Sequence, residues 1–154
     1  MKYRESPRLK SFAYRGHFAY FVTSVTRGRR QWFSEPQTAE ACVAALIRSC
    51  VQYQFRVIAY CVMPDHVHAL VLGEDDSSNL KEMMKLFKQT SSFHFHAQTG
   101  ELLWQISYHD RVLRGEEAIE DIARYIWANP ERAGLVSDFR SYPYSGPQPL
   151  SDWI

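Results

Sequence analysis

The sequence predicts an α+β fold: one antiparallel sheet with helices on one face and an additional C-terminal helix. Three observations predict it. Stretches rich in aromatic and β-branched residues alternate with stretches whose apolar residues recur at helical spacing. They follow the order strand, helix, strand, strand, helix, strand, helix, and the two central strands are separated only by Pro64-Asp65. The chain has 154 residues, 45% hydrophobic and 14% aromatic, which is enough apolar material for one compact domain over 1–154.

Residues 17–26 (HFAYFVTSVT) read as the first strand and stop at the turn signal Arg27-Gly28. Residues 38–53 read as a helix, with Thr38 as N-cap and Cys42, Leu46, Cys50 and Tyr53 as its buried stripe. The dense apolar run 55–63 is the second strand. After Pro64-Asp65, residues 66–72 form the third strand, antiparallel to the second through a tight turn. The polar loop 73–79 (GEDDSSN) starts a helix whose apolar face is Leu80, Met83, Met84 and Phe87, a spacing more typical of core than of a cofactor site.

Residues 107–114 (SYHDRVLR) are the last predicted strand. Glu116 and Glu117 then suit the positive end of a helix that turns Ile119, Ile122 and Ile126 inward and runs to Asn129 or slightly beyond, where Pro130 predicts a kink or terminus. The first six elements match βαββαβ, the ferredoxin-like split-βαβ arrangement, and the seventh is extra. The end of the chain, 141–154, begins SYPYSGPQP and reads as an irregular tail.

A net charge of +1 does not by itself announce a nucleic-acid ligand, but its distribution says more. Basic residues gather at Lys2, Arg4, Arg8, Lys10 and Arg15, at Arg27, Arg29 and Arg30, and at Lys81, Lys85 and Lys88, the last three in one helical stripe. A solvated helix face is the simplest account of that stripe. Three cysteines, Cys42, Cys50 and Cys61, have neither even number nor CxxC spacing, so a disulfide framework and a zinc ribbon are both unsupported. No stretch has signal or transmembrane length, and the expected setting is a soluble protein in a reducing cytoplasm, nucleoid-associated when on DNA.

His66 and His68 flank Val67 on a strand, where side chains alternate faces, so both imidazoles point the same way at a distance that lets them share an ion. His94 and His96 have the same spelling but fall in a helical stretch, where residues two apart diverge by about 200°. A lone His-x-His pair is equally compatible with two polar residues on a sheet surface. Tyr125 and Asn129 stand at i and i+4 at the edge of the isoleucine stripe, placed to rim a site on the sheet. Taken singly, a core tyrosine with a surface hydroxyl and a capping asparagine explain them.

Read together, VMPDHVHALV (62–71), SYHDRVLR (107–114) and RYIWANPERAGLV (124–136) resemble the three signature blocks of single-tyrosine HUH transposases of the insertion-sequence-200-like family, with closest resemblance to the REP-associated tyrosine transposases. The resemblance spans roughly the whole chain. It implies a nuclease in which His66, His68 and Asn129 bind Mg²⁺ or Mn²⁺ and Tyr125 is the nucleophile, with Asn129 standing where some relatives carry glutamine. It further implies a 5′-phosphotyrosine intermediate, and a single-stranded or hairpin-forming DNA substrate. Either a monomer or a homodimer exchanging the tyrosine helix is compatible with it.

Lys81, Lys85, Lys88, Arg111, Arg114 and Arg124 are the candidate DNA contacts, and Trp104 or Trp127 the candidates for base stacking, against ordinary surface charge and core aromatics. Zinc hydrolysis is disfavoured, since no HExxH is present. The alternative from another class is a domesticated, non-catalytic protein that holds single-stranded or hairpin DNA.

Overall fold

The computed structural model describes residues 12–148, so Lys2, Arg4, Arg8 and Lys10 and the tail from residue 149 lie outside the described residues. Its main elements are β1 (Ala19–Val25), α1 (Pro36–Gln52), β2 (Phe55–Met63), β3 (His66–Gly73), α2 (Leu80–Thr99), β4 (His109–Leu113), α3 (Glu116–Arg132) and β5 (Ser145–Gly146). The strands lie in the order β4-β1-β3-β2-β5, every neighbouring pair antiparallel.

Strand alternation divides the apolar residues between two faces. Tyr20 and Val22 on β1 and Val67, Ala69 and Val71 on β3 join Cys42 and Leu46 of α1 and Met83 and Phe87 of α2 in one core. Ala19 and Phe21, with Leu70 and Cys61, meet Ile122, Ile126 and Trp127 of α3 in a second core on the opposite face. The sheet is thus covered on both sides, by α1 and α2 on one and by α3 on the other. Among the described residues no helix is long and apolar enough to cross a membrane.

One irregularity matters for the site. The β2–β3 register shifts between Val57 and Ala59, a bulge that inserts one residue into β2. Ile58 and Ala59 both reach the α3 core, and from there Cys61 and Met63 fall opposite His68 and His66. The two-residue turn Pro64-Asp65 then closes the hairpin, as the sequence predicts. At the end of α2, Gly100 has φ 72°, a left-handed conformation that glycine adopts freely, and its N–H donates to the His96 carbonyl.

Several expectations need correction. Thr38 does not cap α1: the helix starts two residues earlier at Pro36, whose fixed φ and missing N–H suit the first turn, and Glu35 is the cap residue. Pro130 lies inside α3, which runs to Arg132, slightly beyond Asn129; the proline gives up its own N–H bond to the preceding turn, and its side chain is buried. The tail is not wholly irregular, because Ser145 and Gly146 pair with Cys61 and Tyr60 as β5. Two residues are too few to show a period. Trp104 and Trp127 are not available for base stacking: both are buried, their indole N–H groups donating to Ser91 Oγ and to the Gly146 carbonyl.

Candidate active site

β3 presents His66 and His68 on the face covered by α3, in register with Val25 and Thr23 of β1 and with Met63 and Cys61 of β2. The two imidazole centroids are 4.7 Å apart. His94 and His96, by contrast, lie exposed within α2, as the helical reading of that stretch expects.

Each site histidine is oriented through Nδ1. His66 Nδ1 lies 2.6 Å from the Asp65 carboxylate. A carboxylate accepting from Nδ1 selects the tautomer in which Nε2 is the ring nitrogen that offers its lone pair to an ion. His68 Nδ1 lies 2.8 Å from Thr23 Oγ1, and with that hydroxyl accepting, Nε2 of His68 is likewise left as a donor atom for a metal. Phe21 stacks on the His68 ring at 5.3 Å. Burial above all, with a smaller push from the neighbouring His66 and Arg132, lowers the His68 pKa to about 3, so its imidazole is neutral at neutral pH.

Asp65 is itself held firmly. Its carbonyl accepts from the Thr26 N–H and shares the Thr26 hydroxyl proton with the Arg30 carbonyl, and the neighbouring Pro64 carbonyl accepts from the Phe33 N–H. Arg29 places Nη1 3.6 Å from the carboxylate. The β1–α1 connection therefore clamps the β2–β3 turn from which Asp65 reaches His66.

On α3, the isoleucine stripe seats the helix and leaves Tyr125 half-buried beside the histidines. Its ring meets His68 at 6.2 Å and Phe21 edge-on at 6.3 Å. Two turns further on, the Arg132 guanidinium lies 4.2 Å from the Tyr125 ring centroid, and its Nη2 donates to the Tyr125 carbonyl at 3.0 Å. Asn129 follows one turn after Tyr125, and its amide nitrogen is buried with no hydrogen-bond partner. Two neighbouring imidazoles that each offer an Nε2 suit a small divalent ion, whereas the orphaned nitrogen of Asn129 is an N–H donor and not a ligand, so a metal contact from Asn129 would have to come from its amide oxygen. Among the described residues no cluster of three or more His, Cys, Asp or Glu could hold a metal.

The six candidate DNA contacts are spread over two faces. Lys81, Lys85 and Lys88 lie on α2, on the far face of the sheet, lining a cavity of about 370 Å³ with Ser107 and Tyr108. Lys81 sits over the Tyr14 ring at 5.2 Å. Lys88 Nζ donates to the carbonyls of Gln105 and Ser107. Arg111 stands opposite Phe21 on the face of the histidines, Arg114 just beyond the end of β4, and Arg124 exposed on α3. The sequence reading missed Thr23, Asp65 and Arg132. It also missed His109, which stands opposite Thr23 on the site face.

Known proteins share this architecture. A REP-associated tyrosine transposase from Escherichia coli is 28% identical, covering 82% of this chain and 74% of its own. A Haemophilus influenzae protein provisionally given the same name is 28% identical over 139 residues, 82% of this chain and 77% of its own. A solved REP-associated tyrosine transposase, described as bound to a REP hairpin, superposes with a TM-score of 0.72 at 19% identity, covering 91% of this chain and 82% of that one. The family model for IS200-like transposases matches residues 15–129, most of the sheet and the site, and the chain belongs to that family.

Proposed function

We propose that this protein is a metal-dependent single-stranded DNA endonuclease and strand transferase, acting on hairpin-forming repeat DNA through a 5′-phosphotyrosine intermediate. One observation carries the reading: Tyr125 stands beside two histidines whose Nδ1 atoms are engaged by Asp65 and Thr23, leaving both Nε2 atoms as donors. We read the β4-β1-β3-β2 order as the ferredoxin-like arrangement that presents this pair at the middle of the sheet.

The chemistry divides among this chain's residues. Tyr125 supplies the nucleophilic oxygen, and α3 holds its ring against His68 and Phe21 so that attack needs little reorganisation. His66, His68 and Asn129 hold the ion. When bound there, Mg²⁺ or Mn²⁺ would supply positive charge to offset the negative charge developing on the scissile phosphate, and imidazole donors favour Mn²⁺. Because the phosphotyrosine link conserves the bond, a second 3′-OH can reverse the step and join strands. A hairpin substrate is supported by the solved relative described as bound to one. Three buried free thiols suit a reducing cytoplasm.

The test is a denaturing gel of protein mixed with Mn²⁺ and labelled single strands tiled across the DNA flanking its gene. A covalent adduct in wild type that is lost in Tyr125→Phe and on adding EDTA is the expected result. Tight binding with no adduct on any tile would instead favour a non-catalytic hairpin-binding protein.

A further inference from the structure

Arg132 has a place in the site that the two histidines and the tyrosine do not explain. It is exposed, it covers the Tyr125 ring at 4.2 Å, and one guanidinium nitrogen is tied to the Tyr125 carbonyl. Among the described residues it has no carboxylate partner: the ion pairs engage Arg29, Arg30 and Arg140 instead. An arginine fastened through one nitrogen to the backbone of a nucleophile retains further N–H donors, and it lacks an anion of its own.

We propose that Arg132 is a catalytic residue that binds the scissile phosphate of DNA during attack by Tyr125. The inference rests on the reading of Tyr125 as the nucleophile. The guanidinium fork suits two oxygens of one phosphate, and the contacts with the tyrosine ring and carbonyl hold the fork over the nucleophilic residue. In the step, the Tyr125 oxygen bonds to phosphorus, the bond from phosphorus to the 3′ oxygen breaks, and that oxygen leaves as the 3′-OH. The phenolic proton passes to solvent, from which the leaving oxygen takes one. Negative charge builds on the non-bridging oxygens as the five-coordinate phosphorus forms, and Arg132 opposes it from the ring side of Tyr125.

The experiment compares wild type, Arg132→Gln, Arg132→Lys and Tyr125→Phe in Mn²⁺-dependent adduct formation on two versions of one cleaved strand. One has the natural scissile phosphodiester and the other a methylphosphonate, which lacks the negative charge, at that position. Strand affinity and thermal melting are measured alongside. Arg132→Gln should lose about 100-fold in rate on the phosphodiester while melting like wild type, and Arg132→Lys should recover part of the loss. On the methylphosphonate the gap between wild type and Arg132→Gln should shrink to a few-fold, which a merely structural role would not produce. An equal deficit on both strands, or no deficit, overturns the proposal while Tyr125 keeps its role. Absence of a Tyr125-dependent adduct in wild type overturns both.

Discussion

The Asp65 carboxylate and the His66 imidazole meet at 2.6 Å, and the same carboxylate faces Arg29 at 3.6 Å. A carboxylate at that position fixes both the ring orientation and the tautomer, so it should govern how well His66 holds a metal. Asp65→Ala should weaken Mn²⁺ binding by about 10- to 100-fold, measured by isothermal titration calorimetry. Stability should change by less than about 1 kcal/mol, because the backbone contacts of Asp65 with Thr26 survive the substitution. Unchanged affinity would mean that the carboxylate does not set the histidine.

Metal should be dispensable for folding. The sheet is packed by apolar cores on both faces, and Ile122, Ile126 and Trp127 already seat α3 on it without help from an ion. EDTA should therefore leave the circular dichroism spectrum unchanged, while saturating Mn²⁺ raises the melting temperature by an amount set by its concentration over Kd. His66→Ala should abolish that rise. A protein that unfolds in EDTA would show the site to be structural.

The pair His66 and His68 was legible in the sequence because strand alternation alone puts them on one face, and Tyr125 and Asn129 because helical spacing does the same. Thr23 was not, since its contact with His68 depends on cross-strand register between elements more than forty residues apart, as the pairing of Thr23 with His68 shows. Asp65 sits in a turn, where no periodicity fixes a side chain's direction. Arg132 did carry a signal, seven residues after Tyr125 and hence two turns along the same face, but with Pro130 read as a kink or terminus the helical spacing could not be carried across it. The succession of strands and helices could be read from the hydrophobic patterning, whereas β5 is too short to leave a pattern.

The lysine stripe should separate into two roles. Lys85 is exposed on α2, whereas Lys88 fastens α2 to the segment leading into β4 through the carbonyls of Gln105 and Ser107. Lys85→Ala should leave the melting temperature alone, lower single-strand affinity, and reduce the slope of log affinity against log salt by about 0.7 if it contacts one phosphate. Lys88→Ala should cost about 1 kcal/mol of stability, read from urea unfolding. Identical behaviour of the two variants would count against this division.

Alkaline pH should destabilise the protein through α1. Burial pushes the Cys50 thiol up to about 12 from its ordinary 9.0, and Cys42 is raised as well. Above the unfolded-state pKa the unfolded chain releases protons that the native state retains. The stabilisation is complete below pH 9 and is lost as pH rises towards 12, at up to about 1.4 kcal/mol per pH unit for each thiol. Urea unfolding between pH 8 and 10.5 measures the slope, and Cys50→Ala should reduce it by one thiol's share. A slope unaffected by that substitution would show that other groups carry the effect.

The same substitution at two tyrosines should have opposite consequences. The Tyr142 hydroxyl is buried and donates to the Val62 carbonyl at 2.6 Å, while the Val62 N–H donates to the Tyr144 carbonyl at 2.8 Å, so residues 142–144 are stitched to β2 from both directions. Burial raises the Tyr142 pKa, keeping the hydroxyl protonated as a donor. Tyr142→Phe should leave a buried carbonyl without this donor and cost about 1–2 kcal/mol. That corresponds to roughly 2–8 °C in melting temperature for a chain of this size. Tyr125→Phe removes a hydroxyl from the half-buried rim of the site and should change stability by no more than about 0.5 kcal/mol while abolishing adduct formation. Calorimetry of the two variants beside the gel assay distinguishes the roles. A destabilised Tyr125→Phe would mean that its hydroxyl serves the fold, and a Tyr142→Phe as stable as wild type would mean that the tail is held to β2 by other contacts.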